Sequence, residues 1–198
     1  MKRLHRRDLY GWSIFDPDRN IDFHSVLWVR EGANVAIDPL PLSGHDQAHL
    51  EALGGLGTIV ITNSDHVRAA KALSDATGAR VLGPAAERDV LDCDGWLADG
   101  EEVAPGLVVM ALEGSKTPGE LALVLEGSTL ITGDLIRAHE GGQLCLLPDA
   151  KLSNKNAAKA SLDRLAALPD IEAVLPGDGW PVFRDGARVL AELAAGIR

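Results

Sequence analysis

The chain has 198 residues, 46% hydrophobic and 24% charged, which suits one soluble domain with an ample core. Its formal net charge of −10 argues against a nucleic-acid binder, which needs a basic face to neutralise phosphates, and against docking on an anionic membrane. Two cysteines, Cys93 and Cys145, stand far apart without a C-x-x-C pattern, so both read as reduced thiols of a cytoplasmic protein.

The basic start, Met1-Lys-Arg-Leu-His-Arg-Arg, is not read as a secretion signal, because Asp8 and Asp16-Pro-Asp-Arg cut short the apolar run such a signal needs. Leu9 to Phe15 is aromatic and β-prone, and Asp16-Pro-Asp-Arg-Asn reads as the turn that closes it. Strands follow near Phe23 to Arg30 and Ala33 to Asp38, antiparallel by their short connection, and Pro39 and Pro41 end the third. Gly44 to Leu53 fits a helix. A strand from Thr58 to Thr62, a helix from about Val67 to Thr77, a strand from Ala79 to Leu82 and a short helix from Ala85 to Leu91 alternate as parallel units do.

Three strands come next, Leu107 to Leu112, Leu121 to Leu125 and Thr129 to Thr132, with Glu126-Gly-Ser as a hairpin turn between the last two. Asn154 to Leu168 is the clearest helix, capped by Asn154 and ended by Pro169. Glu172 to Leu175 reads as a strand, and Asp185 to Ile197 as an Ala/Leu-rich closing helix. Strands followed by helix–strand units occur twice, an order that a two-sheet sandwich with outer helices accommodates.

Four positions share one pattern, in which a strand ends and a polar residue follows beside a glycine or at a helix start. They are Asp65-His66 after Ile-Val-Ile-Thr, Lys116 in Gly-Ser-Lys-Thr-Pro-Gly, Asp134 in Leu-Ile-Thr-Gly-Asp, and Asp178 in Val-Leu-Pro-Gly-Asp-Gly. In open α/β architectures that edge is where ligands bind. Each motif also has a plainer reading: Ser64 and Asp65 are good helix N-caps, Gly-Asp beside a strand is a common turn, and a loop lysine is commonly solvated. His45 and His49 lie four apart on a helix but lack a third ligand, and Trp180 reads as a packed tryptophan or a pocket wall.

Together, from about Ala33 to Phe183, these stations resemble the metallo-β-lactamase superfamily. In that family a strand runs into H-x-H-x-D-H, and a P-G-H-T-like loop, a Thr-Gly-Asp and a Gly-His-Gly follow. Asp38 in Val-Ala-Ile-Asp-Pro is similar to the family's early strand-end aspartate. The resemblance implies a single α/β domain over residues 1–198, built as a four-layer αββα sandwich with the site along the edge where the sheets meet.

The departures from the family pattern are equally specific. Thr62-Asn63-Ser64-Asp65-His66 lacks the first two histidines, Lys116 stands nearest to the missing loop histidine, and Asp178 replaces the last one. The three-histidine metal site is therefore lost. Asp65, His66, Asp134 and Asp178 are expected to hold at most one divalent ion, with Mn²⁺, Fe²⁺ or Zn²⁺ suited to one imidazole and several carboxylates. Lys116 is expected to stand in for the first ion or to anchor substrate, and Asp65 and Lys116 are the candidate catalytic groups.

Two functions follow from this reading. One is a metal-dependent hydrolase of a small ester, amide, thioester or phosphoester. The other is a metal-free member that binds a ligand or assembles subunits. The expected partners are small molecules, without nucleic acid or membrane, and the default assembly is a homodimer.

Overall fold

The computed structural model describes residues 1–197; Arg198, the last residue of the expected domain, lies outside the described residues. A seven-stranded sheet runs in sequence order: β1 (Lys2–Arg3), β2 (Leu9–Asp16), β3 (Ile21–Trp28), β4 (Val35–Ile37), β5 (Thr58–Val60), β6 (Arg80–Pro84) and β7 (Gly95–Leu97). Its first four strands pair antiparallel, and β4 to β7 pair parallel. The parallel half needs crossovers, supplied by α1 (Gly44–Ala52) before β5 and by α2 (Ala70–Thr77) before β6.

The second sheet contains β8 (Glu102–Ala104), β9 (Leu107–Leu112), β10 (Glu120–Leu125), β11 (Thr129–Thr132) and β14 (Ala173–Pro176), in the order β14-β11-β10-β9-β8. Between β11 and β14 come a separate hairpin, β12 (Ile136–Glu140) with β13 (Gln143–Leu146), and the helix α3 (Lys155–Ala166). The helix α4 (Gly186–Gly196) follows β14.

Alternation along the strands makes the layers. In β10, Leu121, Leu123 and Leu125 face the first sheet, while Ala122 and Val124 pack with Leu162 and Leu165 of α3 and Leu190 of α4. In β4, Val35 and Ile37 face the second sheet and Ala36 faces Leu50 of α1. The central strands β4, β10, β11 and β14 therefore bury both faces and read as largely apolar, whereas β1 and the end of β2 are exposed. The architecture is the αββα sandwich expected from the sequence.

Several local expectations change. The helix expected from Val67 begins at Ala70, because Ser64–His66 forms a 3-10 turn and Arg68 takes a left-handed φ of 43° that breaks the helix. The helix expected over Ala85 to Leu91 shrinks to a 3-10 turn, Ala85–Glu87, where the Glu87 carbonyl accepts from both Val90 and Leu91. The β12–β13 hairpin was not expected; its turn is Gly141-Gly142 and its strands mix charged with apolar residues.

Strand ends from both sheets converge on one edge. The Leu121 N–H donates to the Thr62 carbonyl (2.8 Å), and the His24 N–H donates to the Gly177 carbonyl (2.8 Å). These bonds tie the two sheets together where the polar motifs emerge. No helix among the described residues is long and apolar enough to cross a membrane.

Candidate metal centre

Asp38 leaves β4 with a left-handed φ of 47°, a conformation that costs an L-residue about 1 kcal/mol or more and that occurs at over-determined sites. Its buried carboxylate accepts from the Thr62 N–H (2.7 Å), the Thr62 hydroxyl (2.6 Å) and the His66 Nδ1 (2.8 Å). His66, 4% exposed, is thereby locked with its Nε2 turned towards two more carboxylates. Nε2 lies 3.5 Å from Asp134 Oδ2 and 3.8 Å from Asp178 Oδ1.

Two glycines permit this closeness. A Cβ on Gly177 would stand 2.7 Å from His66 Cε1, and one on Gly133 would stand 2.7 Å from the Thr62 Oγ1. The glycine before each aspartate is thus required by backbone approach to the opposite sheet.

Charge balance surrounds the three carboxylates. Asp178 Oδ2 accepts from the Arg137 Nη2 (2.7 Å), and its Oδ1 lies 3.5 Å from the Arg68 Nη2. Arg68 Nη1 donates to the His24 and Asp38 carbonyls (2.6 and 3.0 Å), and its Nη2 also reaches the Gly177 carbonyl (3.3 Å) and the His66 Nε2 (3.4 Å). Asp134 Oδ2 accepts from Lys116 Nζ (3.0 Å) and Asn63 Nδ2 (3.1 Å), and Lys116 also holds Asp65 Oδ2 at 2.7 Å.

Burial works against a charged His66, yet the charge and hydrogen bond of Asp38 outweigh it and raise its pKa above the ordinary histidine value. Burial likewise works against the Asp38 carboxylate, but His66, Arg68 and Thr62 hold its pKa below the usual range. Burial opposes the Lys116 ammonium too, and Asp65 and Asp134 reverse the sign and raise it. Behind the site, burial pushes the Glu120 carboxyl up to about 7, against the opposing hydrogen bonds from Ser115 and Leu135.

The residues fit one divalent ion. One ligand atom each from His66, Asp134 and Asp178 lies within 4.8 Å of the others, and all three residues are buried. Ligands at about 2.1 Å around a four-coordinate ion stand about 3.4 Å apart, close to the 3.5 and 3.8 Å found. The Asp178 Oδ1 is buried and accepts no hydrogen bond, with the Arg68 Nη2 3.5 Å away, so it keeps a lone pair for a ligand on the His66 side. Asp38 on Nδ1 is the partner that a metal-binding imidazole uses to present Nε2.

Of the residues singled out in the sequence, the structure brings His66, Asp134 and Asp178 together. Asp65 stands outside that triangle, with its side chain 52% exposed and paired to Lys116. Lys116 reaches both Asp65 and Asp134. Trp180 is 58% exposed and is not a core residue, and His49 packs edge-on against Tyr10. Arg68 and Arg137 went unread, since neither sits in a motif; the one available signal was that a buried aspartate in place of a histidine requires a nearby cation. Arg19, Phe23 and Leu40 complete the wall of the cavity over the site, about 380 Å³ in volume.

Residues 1–197 match the family model of the metallo-beta-lactamase superfamily, and the chain belongs to that superfamily. Among curated proteins it is 36% identical over 132 residues to a hydroxyacylglutathione hydrolase from Fuscovulum blasticum. That match covers 63% of this chain and spans about half, 49%, of the relative. Among solved structures, ETHE1 from Myxococcus xanthus superposes with a TM-score of 0.66 at 26% identity, covering 85% of this chain and 75% of that one. A superfamily protein from the archaeon Sulfolobus tokodaii gives 0.76 at 16% identity, over 96% and 86% of the two chains. The DIM-1 metallo-beta-lactamase gives 0.74 at 15% identity, over 98% and 95%. These last two likenesses establish the shared fold.

Proposed function

We propose that the chain is a hydrolase using one divalent ion, held by His66, Asp134 and Asp178, on a small ester-like substrate. The observation that carries this reading is the buried cluster of His66 Nε2 with Asp134 and Asp178, in which Asp178 Oδ1 accepts no hydrogen bond. When bound, a divalent ion there supplies Lewis acidity and activates water near neutral pH. The chain's own residues do the rest. Asp38 fixes the imidazole, and Arg137 holds Asp178 by Oδ2, leaving Oδ1 without a hydrogen bond and facing His66. Lys116, at the mouth of the cavity, stands in for a second cation and offers an ammonium to a developing oxyanion. Asp65, open to solvent beside it, is the proposed proton carrier.

Superfamily membership and the hydroxyacylglutathione hydrolase likeness make a thioester the first substrate class to assay, ahead of esters, amides and phosphoesters. Small molecules are the proposed partners, the cytoplasm the proposed setting, one domain the proposed organisation and a homodimer the proposed assembly.

A specific observation favours a second reading, that of a metal-free ligand-binding module. Asp38, Asp134 and Asp178 each already touch a protein side chain that carries or can carry positive charge: His66, Lys116, and Arg137 with Arg68. Elemental analysis of protein purified without a metal-affinity column separates the two. One equivalent of Mn, Fe or Zn, lost in Asp134→Asn and Asp178→Asn, supports the hydrolase. A folded protein that takes up none of these ions when they are added supports the module.

A further inference from the structure

Two carboxylates behind the site have no evident chemical task and unusual partners. Glu87, in the 3-10 turn after β6, is 0% exposed, and Glu120, at the start of β10, is 1% exposed. Among the described residues neither forms an ion pair, so each burial must be offset by hydrogen bonds alone. Glu87 Oε2 accepts from the Ser64 N–H (2.7 Å) and its Oε1 from the Gly119 N–H (3.0 Å). Glu120 Oε2 accepts from the Ser115 hydroxyl (2.6 Å) and its Oε1 from the Leu135 N–H (2.8 Å).

Each donor flanks a residue of the site. Ser64 precedes Asp65, Ser115 precedes Lys116, Gly119 closes the Lys116 loop, and Leu135 follows Asp134. Glu87 thus staples the Asp65 loop to the Lys116 loop, and Glu120 staples the Lys116 loop to the Asp134 loop. We infer that Glu87 and Glu120 are positioning residues that hold the Lys116 ammonium between Asp65 and Asp134. The far end of the loop meets the Ala85–Glu87 turn directly, since a Cβ on Gly119 would stand 2.7 Å from Ala86 Cβ.

The two staples differ in a way that makes the inference testable. Both Glu87 oxygens face backbone N–H groups, so a glutamine must turn its NH₂ against one of them and break that bond. Glu120 faces one N–H and one hydroxyl, and the hydroxyl can switch from donor to acceptor, so a glutamine there keeps both bonds. Glu87→Gln is therefore disruptive, and Glu120→Gln is tolerated where Glu120→Ala is not.

The test reads Lys116 itself, so it stands apart from the proposed hydrolysis and fails separately from it. Acetylation of lysines by acetic anhydride is followed by peptide mass spectrometry in the folded, full-length protein, with the exposed Lys71 and Lys159 as internal references. Lys116 is expected to label about tenfold faster in Glu87→Gln and Glu120→Ala, at the wild-type rate in Glu120→Gln, with the reference lysines unchanged. Equal Lys116 rates in wild type and Glu87→Gln, or equal behaviour of Glu87→Gln and Glu120→Gln, overturn the proposal. If Glu87→Gln does not fold, Ser64→Pro deletes the same donor at the first position of a helical turn, where proline is tolerated. A wild-type Lys116 rate in Ser64→Pro equally overturns it.

Discussion

Asp134 and Asp178 are delivered by the same local device, a strand end followed by glycine, yet the molecule neutralises them in opposite ways. Asp178 is held by two arginines whose side chains are 10% and 9% exposed, one of them from β12 and the other carrying a left-handed backbone. Asp134 is held by a lysine that is 27% exposed, stands on a loop and is shared with the open carboxylate of Asp65. Guanidinium groups stay charged and keep their planar geometry, whereas an ammonium on a flexible stem can follow a ligand. The Asp178 side is therefore a fixed wall, and the Asp134 side is the adjustable one.

The strongest way to break this contrast is on the fixed side. Arg137→Met removes the closer cation from the buried Asp178 carboxylate, leaving Arg68 3.5 Å away, and is expected to lower stability by about 3 kcal/mol in chemical denaturation. Adding Asp178→Asn to the same chain should recover most of that loss. A single variant as stable as the wild type would show that the pair does not balance a buried charge.

On the adjustable side, pH is the lever. The Glu120 pKa rises from 4.5 to about 7 in the folded chain, so the folded state binds the extra proton. Its contribution is fully present below pH 4.5 and is lost as pH rises to about 7. At about 1.4 kcal/mol per pH unit the full loss is roughly 3–4 kcal/mol. In the metal-free chain His66, also raised, contributes below its ordinary value of 6.5 and loses that contribution as pH rises through the folded value. Asp38, lowered, contributes above 3.8 and loses it as pH falls. Denaturation curves between pH 4.5 and 7 should show falling stability in the wild type and a flatter profile in Glu120→Gln.

The smallest expected effect is that of Lys116→Met. Lys116 is partly exposed, water screens its pair with Asp65, and Asn63 stays on Asp134, so a loss of about 1 kcal/mol is expected. A loss as large as that of Arg137→Met would erase the distinction between the two sides.

The longer core strands were legible because alternation and turn chemistry are local, whereas the short β1, β7 and β8 and the β12–β13 hairpin were not expected. Leu107–Leu112 and Thr129–Thr132 match their expected bounds, and Asn154 caps α3 through its side-chain oxygen as its type foretold. The helix near His66 was misplaced because the left-handed Arg68 obeys contacts with His24, Asp38 and Gly177, all distant in sequence. The same limit hid Arg137, which lies 41 positions from its partner Asp178 on a hairpin with no clear periodicity.

The sequence by itself determined the superfamily, with the two-sheet sandwich it implies, and the presence of His66, Asp134 and Asp178 at strand ends, because these depend on residue types spaced along the chain. Only the tertiary structure decided which charges meet. It set Asp65 outside the triangle, gave Asp178 two arginines and Asp134 a lysine, and hid Glu87 and Glu120 behind the loops they join. Electrostatic and hydrogen-bond partners act across a few ångströms of space, and tens of residues of chain can separate them.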